Sequence, residues 1–143
     1  MSTIIHANGA SVNENTPGAK AAYGVYYGAR DPLNEAHKLE NTGQPPTKTL
    51  AALEAVRCAL QKMQETGEGK RWATLYVKTN SEEAIDLINQ DPEDVVGEYG
   101  EVVADIRNLS ESCGCAVRIM YSSVGSNDVG SQEAYEMANE MIG

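Results

Sequence analysis

The order of elements legible in this chain predicts an α/β fold: a five-stranded mixed sheet, β-β-β-α-β-α-α-β-α, with helices on both faces. Three observations carry the prediction. Three strand-like segments precede any helical pattern, as in a meander of antiparallel strands. The stretch Leu75 to Ile88 runs directly from a buried strand into a helix, the kind of junction on which parallel sheets are built. The remaining elements alternate between helical and strand-like patterning, which requires crossovers packed on the sheet.

In chain order, Thr3 to Ser11 opens with Ile4 and Ile5 and reads as a first strand closing in a turn at Asn8-Gly9, followed by a Ser/Asn/Pro/Gly loop to Gly18. Lys20 to Gly28 carries Ala21, Ala22, Tyr23, Val25, Tyr26 and Tyr27, a second strand, with Gly24 as a bulge or a close backbone approach. Asn34 to Glu40 alternates weakly and suits an edge strand. After a loop at Asn41 to Pro46, Thr47 can cap a helix in which Leu50, Leu53, Val56, Leu60 and Met63 keep a 3.6-residue period. Trp72 to Thr79 is the fourth strand. Ser81 then caps a helix to about Asn89, with Glu82 and Glu83 in its first turn. Asp91-Pro92-Glu93-Asp94 breaks the chain before a helix from Glu98 to Glu111, with Val102, Val103, Ile106 and Leu109 on one face. A fifth strand, Cys115 to Tyr121, and a last helix, Ser131 to Ile142, complete the order, the helix with Ala134, Met137, Ala138 and Met141 inward. No internal repeat and no long linker divides the chain, so residues 1–143 read as one domain.

Composition narrows the function classes. A chain that is 41% apolar and 22% charged is globular rather than disordered. No apolar run is long enough to cross a membrane, and the N-terminus lacks the layout of a signal peptide, so an intracellular setting, nuclear or cytoplasmic, is expected. Three cysteines, Cys58, Cys113 and Cys115, with only His6 and His37 beside them, make structural disulfides and a zinc site poor expectations. The net charge of −10 repels polyanions at long range and disfavours free nucleic acid as a partner.

Several short motifs, in order, carry a resemblance. Asn8-Gly9 ends the first strand, and Tyr23-Gly24-Val25-Tyr26-Tyr27-Gly28 with Asp31-Pro32-Leu33-Asn34 forms the second strand and its turn. Thr47 is followed by Ala51-Ala52-Leu53, Thr79-Asn80-Ser81 stands at the fourth strand's end, and Gly130-Ser131-Gln132-Glu133-Ala134-Tyr135 opens the last helix. The sequence resembles the type 1 ribonuclease H family over nearly its whole length, which implies a ribonuclease H-like fold. In that family the matching patterns are Asp-Gly, Thr-Asn-x-x-Ala-Glu-Leu, Thr-Asp-Ser and Gly-Asn-Glu-x-Ala-Asp. Four carboxylates there hold two Mg²⁺ ions that cleave the RNA strand of an RNA–DNA hybrid.

The resemblance implies a missing reaction. The four carboxylate positions carry Asn8, Ala52, Asn80 and Tyr135, so a formal charge of −4 falls to zero, and no Mg²⁺ cofactor is expected. Tyr135 either fills the vacated space beside Asn8 and Asn80 or points outward to a partner. Gly125 falls where the family often has a product-release histidine. Candidate replacement carboxylates sit badly: Glu54 is turned about 200° round the helix from Ala52, Asp86 lies nearly two turns into its helix, and Glu133 and Glu136 bracket Tyr135 at a helical offset. The family's basic protrusion corresponds to Gln90 to Glu101, which is acidic and lacks Lys and Arg. Lys48 and Lys78 are the candidate phosphate contacts, against the plainer reading of each as a solvated surface charge. The expected function is therefore a pseudo-nuclease acting as a protein-interaction or scaffolding module. The alternatives are a module that binds RNA–DNA hybrid or RNA without cutting it, and an active hybrid ribonuclease with a rebuilt site.

Overall fold

The computed structural model describes residues 1–39, 46–95, 97–125 and 128–143. Strands β1 (Ser2–Val12), β2 (Lys20–Tyr26) and β3 (Glu35–Lys38) come first, then helix α1 (Lys48–Thr66) and strand β4 (Thr74–Thr79). Helices α2 (Glu82–Ile88) and α3 (Gly100–Ser112), strand β5 (Ala116–Tyr121) and helix α4 (Val129–Glu140) follow. Single 3₁₀ turns at Glu68–Arg71, Pro92–Asp94 and Gly97–Tyr99 connect them. The sheet order is β3-β2-β1-β4-β5. β1, β2 and β3 pair antiparallel, whereas β1, β4 and β5 are parallel. This is the mixed α/β sheet that the element order predicts, with β3 at its edge.

Alternation along the strands divides the interior in two. Ile5, Ala7, Val25, Leu75 and Val77 meet Leu53, Val56 and Leu60 of α1 and Val102, Val103 and Ile106 of α3 in the main core. On the opposite face Ala10 and Ala22 pack with Ala138 and Ile142 at the end of α4, a second and smaller cluster. Glycines set how closely each helix lies. A Cβ on Gly9 would come within 2.7 Å of the Ala52 nitrogen and 2.8 Å of the Lys48 carbonyl, so β1 touches the first turns of α1. Gly24 does the same for α4, where a Cβ would stand 2.3 Å from the Ala134 carbonyl. Its role is thus the close approach, not a bulge.

Local signals fix the ends. Thr47 Oγ1 accepts the Leu50 N–H at 3.1 Å, and Gly67, at φ 75°, ends α1 in the left-handed region. Ser81 Oγ accepts the Ala84 N–H at 3.1 Å and starts α2. α4 begins two residues before the expected Ser131 because Asp128 caps it, accepting from Ser131 N–H at 3.3 Å. It ends at Glu140, which leaves Met141 exposed where an inward position was expected and buries Ile142 instead. β2 stops at Tyr26, two residues early, because the Asn34 side chain takes over the pairing. Its Oδ1 accepts Tyr27 N–H at 2.6 Å and its Nδ2 donates to the Gly28 carbonyl at 2.8 Å.

One expectation is overturned outright. Asn8-Gly9 is not a turn; it lies mid-strand, because β1 stays paired to β2 as far as Val12 opposite Lys20. What ends near Asn8 is the other pairing, since β1 and β4 last pair at His6 and Lys78. The expected loop at Asn41 to Pro46 lies, apart from Pro46, outside the described residues, as do Glu40, residue 96 and Ser126.

Candidate functional site

Where β1 parts from β4, a side chain continues the ladder. Asn80, one residue past the end of β4 and only 3% exposed, accepts the Gly9 N–H through Oδ1 at 3.0 Å and donates Nδ2 to the Gly9 carbonyl at 2.9 Å. The primary amide thereby imitates a backbone peptide, one donor and one acceptor facing one acceptor and one donor. Asn80 therefore neither bonds its own loop nor turns toward solvent; it ties the strand end to β1.

Asn8 is fully buried on the neighbouring face. Its Nδ2 donates to the Ser131 carbonyl at 2.6 Å and to Ser131 Oγ at 3.1 Å. Reversing this amide would set two acceptors against each other, so the orientation is fixed chemically. Asn8 Oδ1, fully buried, meets no donor among the described residues. Ala52 is buried in the main core beside Gly9 and brings no polar atom. Tyr135 is half-buried against the alanine cluster of Ala10, Ala22 and Ala138. The residue that reaches Asn8 is Ser131, one helical turn earlier, so the expectation that Tyr135 fills the space beside Asn8 and Asn80 gives way to a division of labour within α4.

A second group was not foreseen from the sequence. Asp128, at the head of α4, accepts from Lys78 Nζ at 3.2 Å, Ser122 Oγ at 3.1 Å and the capping N–H of Ser131, and His6 Nε2 lies 2.9 Å from it. Burial alone would raise its pKa, but the bonds from Lys78 and His6 outweigh burial and hold the carboxyl well below the usual range. Burial pushes the His6 imidazole below its ordinary value against the pull of Asp128. The His6–Asp128 contact thus brings an imidazole whose charged form burial disfavours close to a carboxylate. The available signals were slight: His6 lies two residues before Asn8 and so on its side of the strand, and Asp128 stands just before a helical pattern.

The remaining candidates are dispersed. Glu54 pairs with Arg57 at 2.6 Å, and Arg57 also reaches Asp105 of α3 at 2.9 Å. Glu136 accepts from Gln132 at 3.2 Å, while Glu133 and Asp86 are exposed. Lys48 opens α1, with its N–H donated to Glu14 at 3.1 Å. Lys78 is neither a solvated charge nor a free one; Asp128 holds it half-buried. Gly125 is exposed. The thiols of Cys58, Cys113 and Cys115 are free. Cys58 donates to Glu35 at 3.0 Å, and burial together with that carboxylate pushes the thiol up to about 12. Among the described residues no three His, Cys, Asp or Glu side chains converge as a metal-holding group. Nor is any described helix long and apolar enough to cross a membrane.

Comparison with known proteins places this geometry in a family of structures. No family model and no curated protein sequence matches the chain. Solved structures do. The structure titled LC11-RNase H1 in complex with RNA/DNA hybrid superposes with TM-score 0.70 at 18% identity, over 97% of this chain and 95% of that one. Ribonuclease H1 from the halophilic archaeon Halobacterium salinarum gives 0.63 at 14% identity, over 99% and 98%. The N-terminal ribonuclease H domain of a Mycobacterium tuberculosis protein gives 0.68 at 13% identity, over 99% and 93%. With the sheet order and helix placement above, these superpositions establish that this chain has the fold of the type 1 ribonucleases H.

Proposed function

We propose that this chain is a ribonuclease H-like domain without the two-metal reaction, serving inside the cell as a protein-interaction or scaffolding module. The observation that carries the reading is the clasp between Asn80 and Gly9, bonded through both amide atoms at 3.0 and 2.9 Å. A carboxylate at position 80 keeps one of those bonds and turns an oxygen on the Gly9 carbonyl. The donor set does not fit a pair of Mg²⁺ ions, which bind through carboxylate oxygens. Ala52 has nothing to give, Asn8 Nδ2 and both amide atoms of Asn80 are committed to protein partners, and a lone neutral Asn8 Oδ1 remains. The nearest carboxylate network, at Asp128, is already met by Lys78 and His6. The test is incubation of the protein with a labelled RNA–DNA hybrid in millimolar Mg²⁺ or Mn²⁺. No cleavage above buffer is expected, and metal-dependent cutting that disappears on substitution of Asn8 or Asn80 would overturn the reading.

A second reading, binding of a hybrid without cutting, draws support from the relative whose title places it on an RNA/DNA hybrid. Lys48, at the first residue of α1, is its best phosphate contact, whereas Lys78 is engaged by Asp128 and the net charge of −10 opposes it. Anisotropy titration of a short labelled hybrid at physiological salt separates the two. Submicromolar affinity that falls steeply with added salt would favour the second.

A further inference from the structure

Parallel sheets are ordinarily covered on both faces, because the crossovers between parallel strands lay helices over each side. In this molecule the antiparallel part has both covers. The parallel part has one. α4 lies on β2, β1 and β3, and none of its principal contacts reach β4 or β5. Alternation and register define the face that no helix lies along, with His6 at its border tucked against Gly130 at the start of α4. Ser2, Thr74 and Ala116 form one row, Ile4, Tyr76 and Arg118 the next, and His6, Lys78 and Met120 the third.

The makeup of these nine positions departs from the rest of the surface. Ile4 and Met120 are each 44% exposed, and Val129, at the start of α4 beside Asp128, is 70% exposed. No carboxylate stands among the nine, in a chain that has 21 Asp and Glu residues against 11 Lys and Arg. The acid facing them from α4 is Asp128, already met by His6 and Lys78. Arg118 is exposed, and no ion pair involves it among the described residues. The face therefore offers Ile4, Tyr76 and Met120 as apolar contacts, with Arg118 beside them on the edge strand β5, on an acidic body.

Resting on the reading of the chain as an interaction module, we infer that the bare face of β1, β4 and β5 is its docking surface, and that the occupant is an amphipathic helix of a partner protein. The apolar stripe of that helix covers Ile4, Tyr76 and Met120, and its carboxylates meet Arg118. A helix is the fitting shape because α4 already covers the adjoining strands of this face in that way. Charge complementarity sets the sign of the partner, since cations close to Arg118 lose affinity and carboxylates gain it. Nucleic acid fits less well: phosphate tracking needs several free cations, and Lys78 is spent on Asp128.

The test uses two labelled peptides of about five helical turns with the same leucine stripe. One carries glutamate on its polar face and the other lysine. At physiological salt, where the long-range repulsion of the acidic body is screened and the contact with Arg118 is kept, anisotropy should show the glutamate peptide binding about tenfold tighter or more, with the order inverted by Arg118→Glu and both affinities weakened by Met120→Asn. Lys20→Glu, the same charge change on β2, should leave the order intact. Equal binding of the two peptides overturns the inference, as does a preference that survives Arg118→Glu. Competition by a hybrid oligonucleotide would make the occupant a nucleic acid, and self-association in sedimentation lost with Met120→Asn would make it a second copy; either result overturns the proposal. All three substitutions sit at exposed positions, and circular dichroism checks that each variant is folded. If cleavage were found while the peptide preference held, the silent-module reading would fall and this face would stand. Absence of both cleavage and preference would do the reverse.

Discussion

Asn80→Asp replaces one NH₂ group by oxygen and probes the clasp with almost no change in shape. The bond from Gly9 N–H survives, while the 2.9 Å bond to the Gly9 carbonyl becomes an oxygen–oxygen contact at a residue 3% exposed. Leaving a buried carbonyl unsatisfied costs about 1–3 kcal/mol, and confining a carboxylate beside it adds about 1 kcal/mol or more. A loss of about 2–4 kcal/mol corresponds to a fall of about 5–15 °C in Tm for a chain of this size. The pH dependence has a definite sign. The buried carboxyl that the substitution introduces has a folded-state pKa raised above the unfolded value of about 3.9, so the folded state binds more protons between the two values. Its penalty is relieved below the unfolded pKa, where a protonated carboxyl donates to Gly9, and is complete above the folded pKa. Urea denaturation at about pH 4 and about pH 8 reads the difference, with the gap from the unsubstituted protein wider at the higher pH. A variant as stable as its parent at about pH 8, and further stabilised by millimolar Mg²⁺, would refute the reasoning.

Other outcomes follow from the same geometry. Millimolar Mg²⁺ should move the Tm of the unsubstituted protein by no more than about 1 °C in a thermal melt, whereas a rise of several degrees would reveal a bound ion. His6 is held neutral, with its folded pKa below about 6.5, and so contributes stability that is complete above that value and lost as pH falls through the folded pKa. His6→Gln should remove this part of the slope, measured as denaturation midpoint against pH. Asp128, whose folded pKa is depressed, contributes stability present above about 3.9 and lost on further acidification. Asp128→Asn should flatten the acid limb and cost about 1 kcal/mol through the lost ion pair with Lys78, since asparagine still caps α4. Gly24→Ala should cost about 3 kcal/mol or more, because its methyl would meet the Ala134 carbonyl, and calorimetry checks it.

The parts of the fold that were legible have local causes. Thr47 and Ser81 announce their helices by capping, and the 3.6-residue period of Leu53, Val56 and Leu60 announces the core of α1. Gly24 was readable as a close approach, though the identity of the approaching helix was not. What escaped depends on pairing between distant segments. Asn8-Gly9 resembles a turn in isolation, and only the continued register with β2 makes it strand. The joining of His6, Lys78 and Asp128 needs three elements to converge, and no spacing within one segment reports it. The neutral character of the site was readable from Asn8, Ala52, Asn80 and Tyr135. That Ser131 meets Asn8, while Tyr135 goes to the alanine cluster, required the placement of α4.

The clasp at Gly9 also bears on how the sequence can drift. An aspartate arriving alone at position 80 disrupts both the hydrogen bonding and the charge balance there. One arriving at position 8 confronts the Ser131 carbonyl 2.6 Å away. Each first step toward an acidic site therefore runs downhill in stability, and the compensating partners must come together. The amide acts as a ratchet: paths that alter the outer surface stay open, while a lone carboxylate at either position loses stability at once.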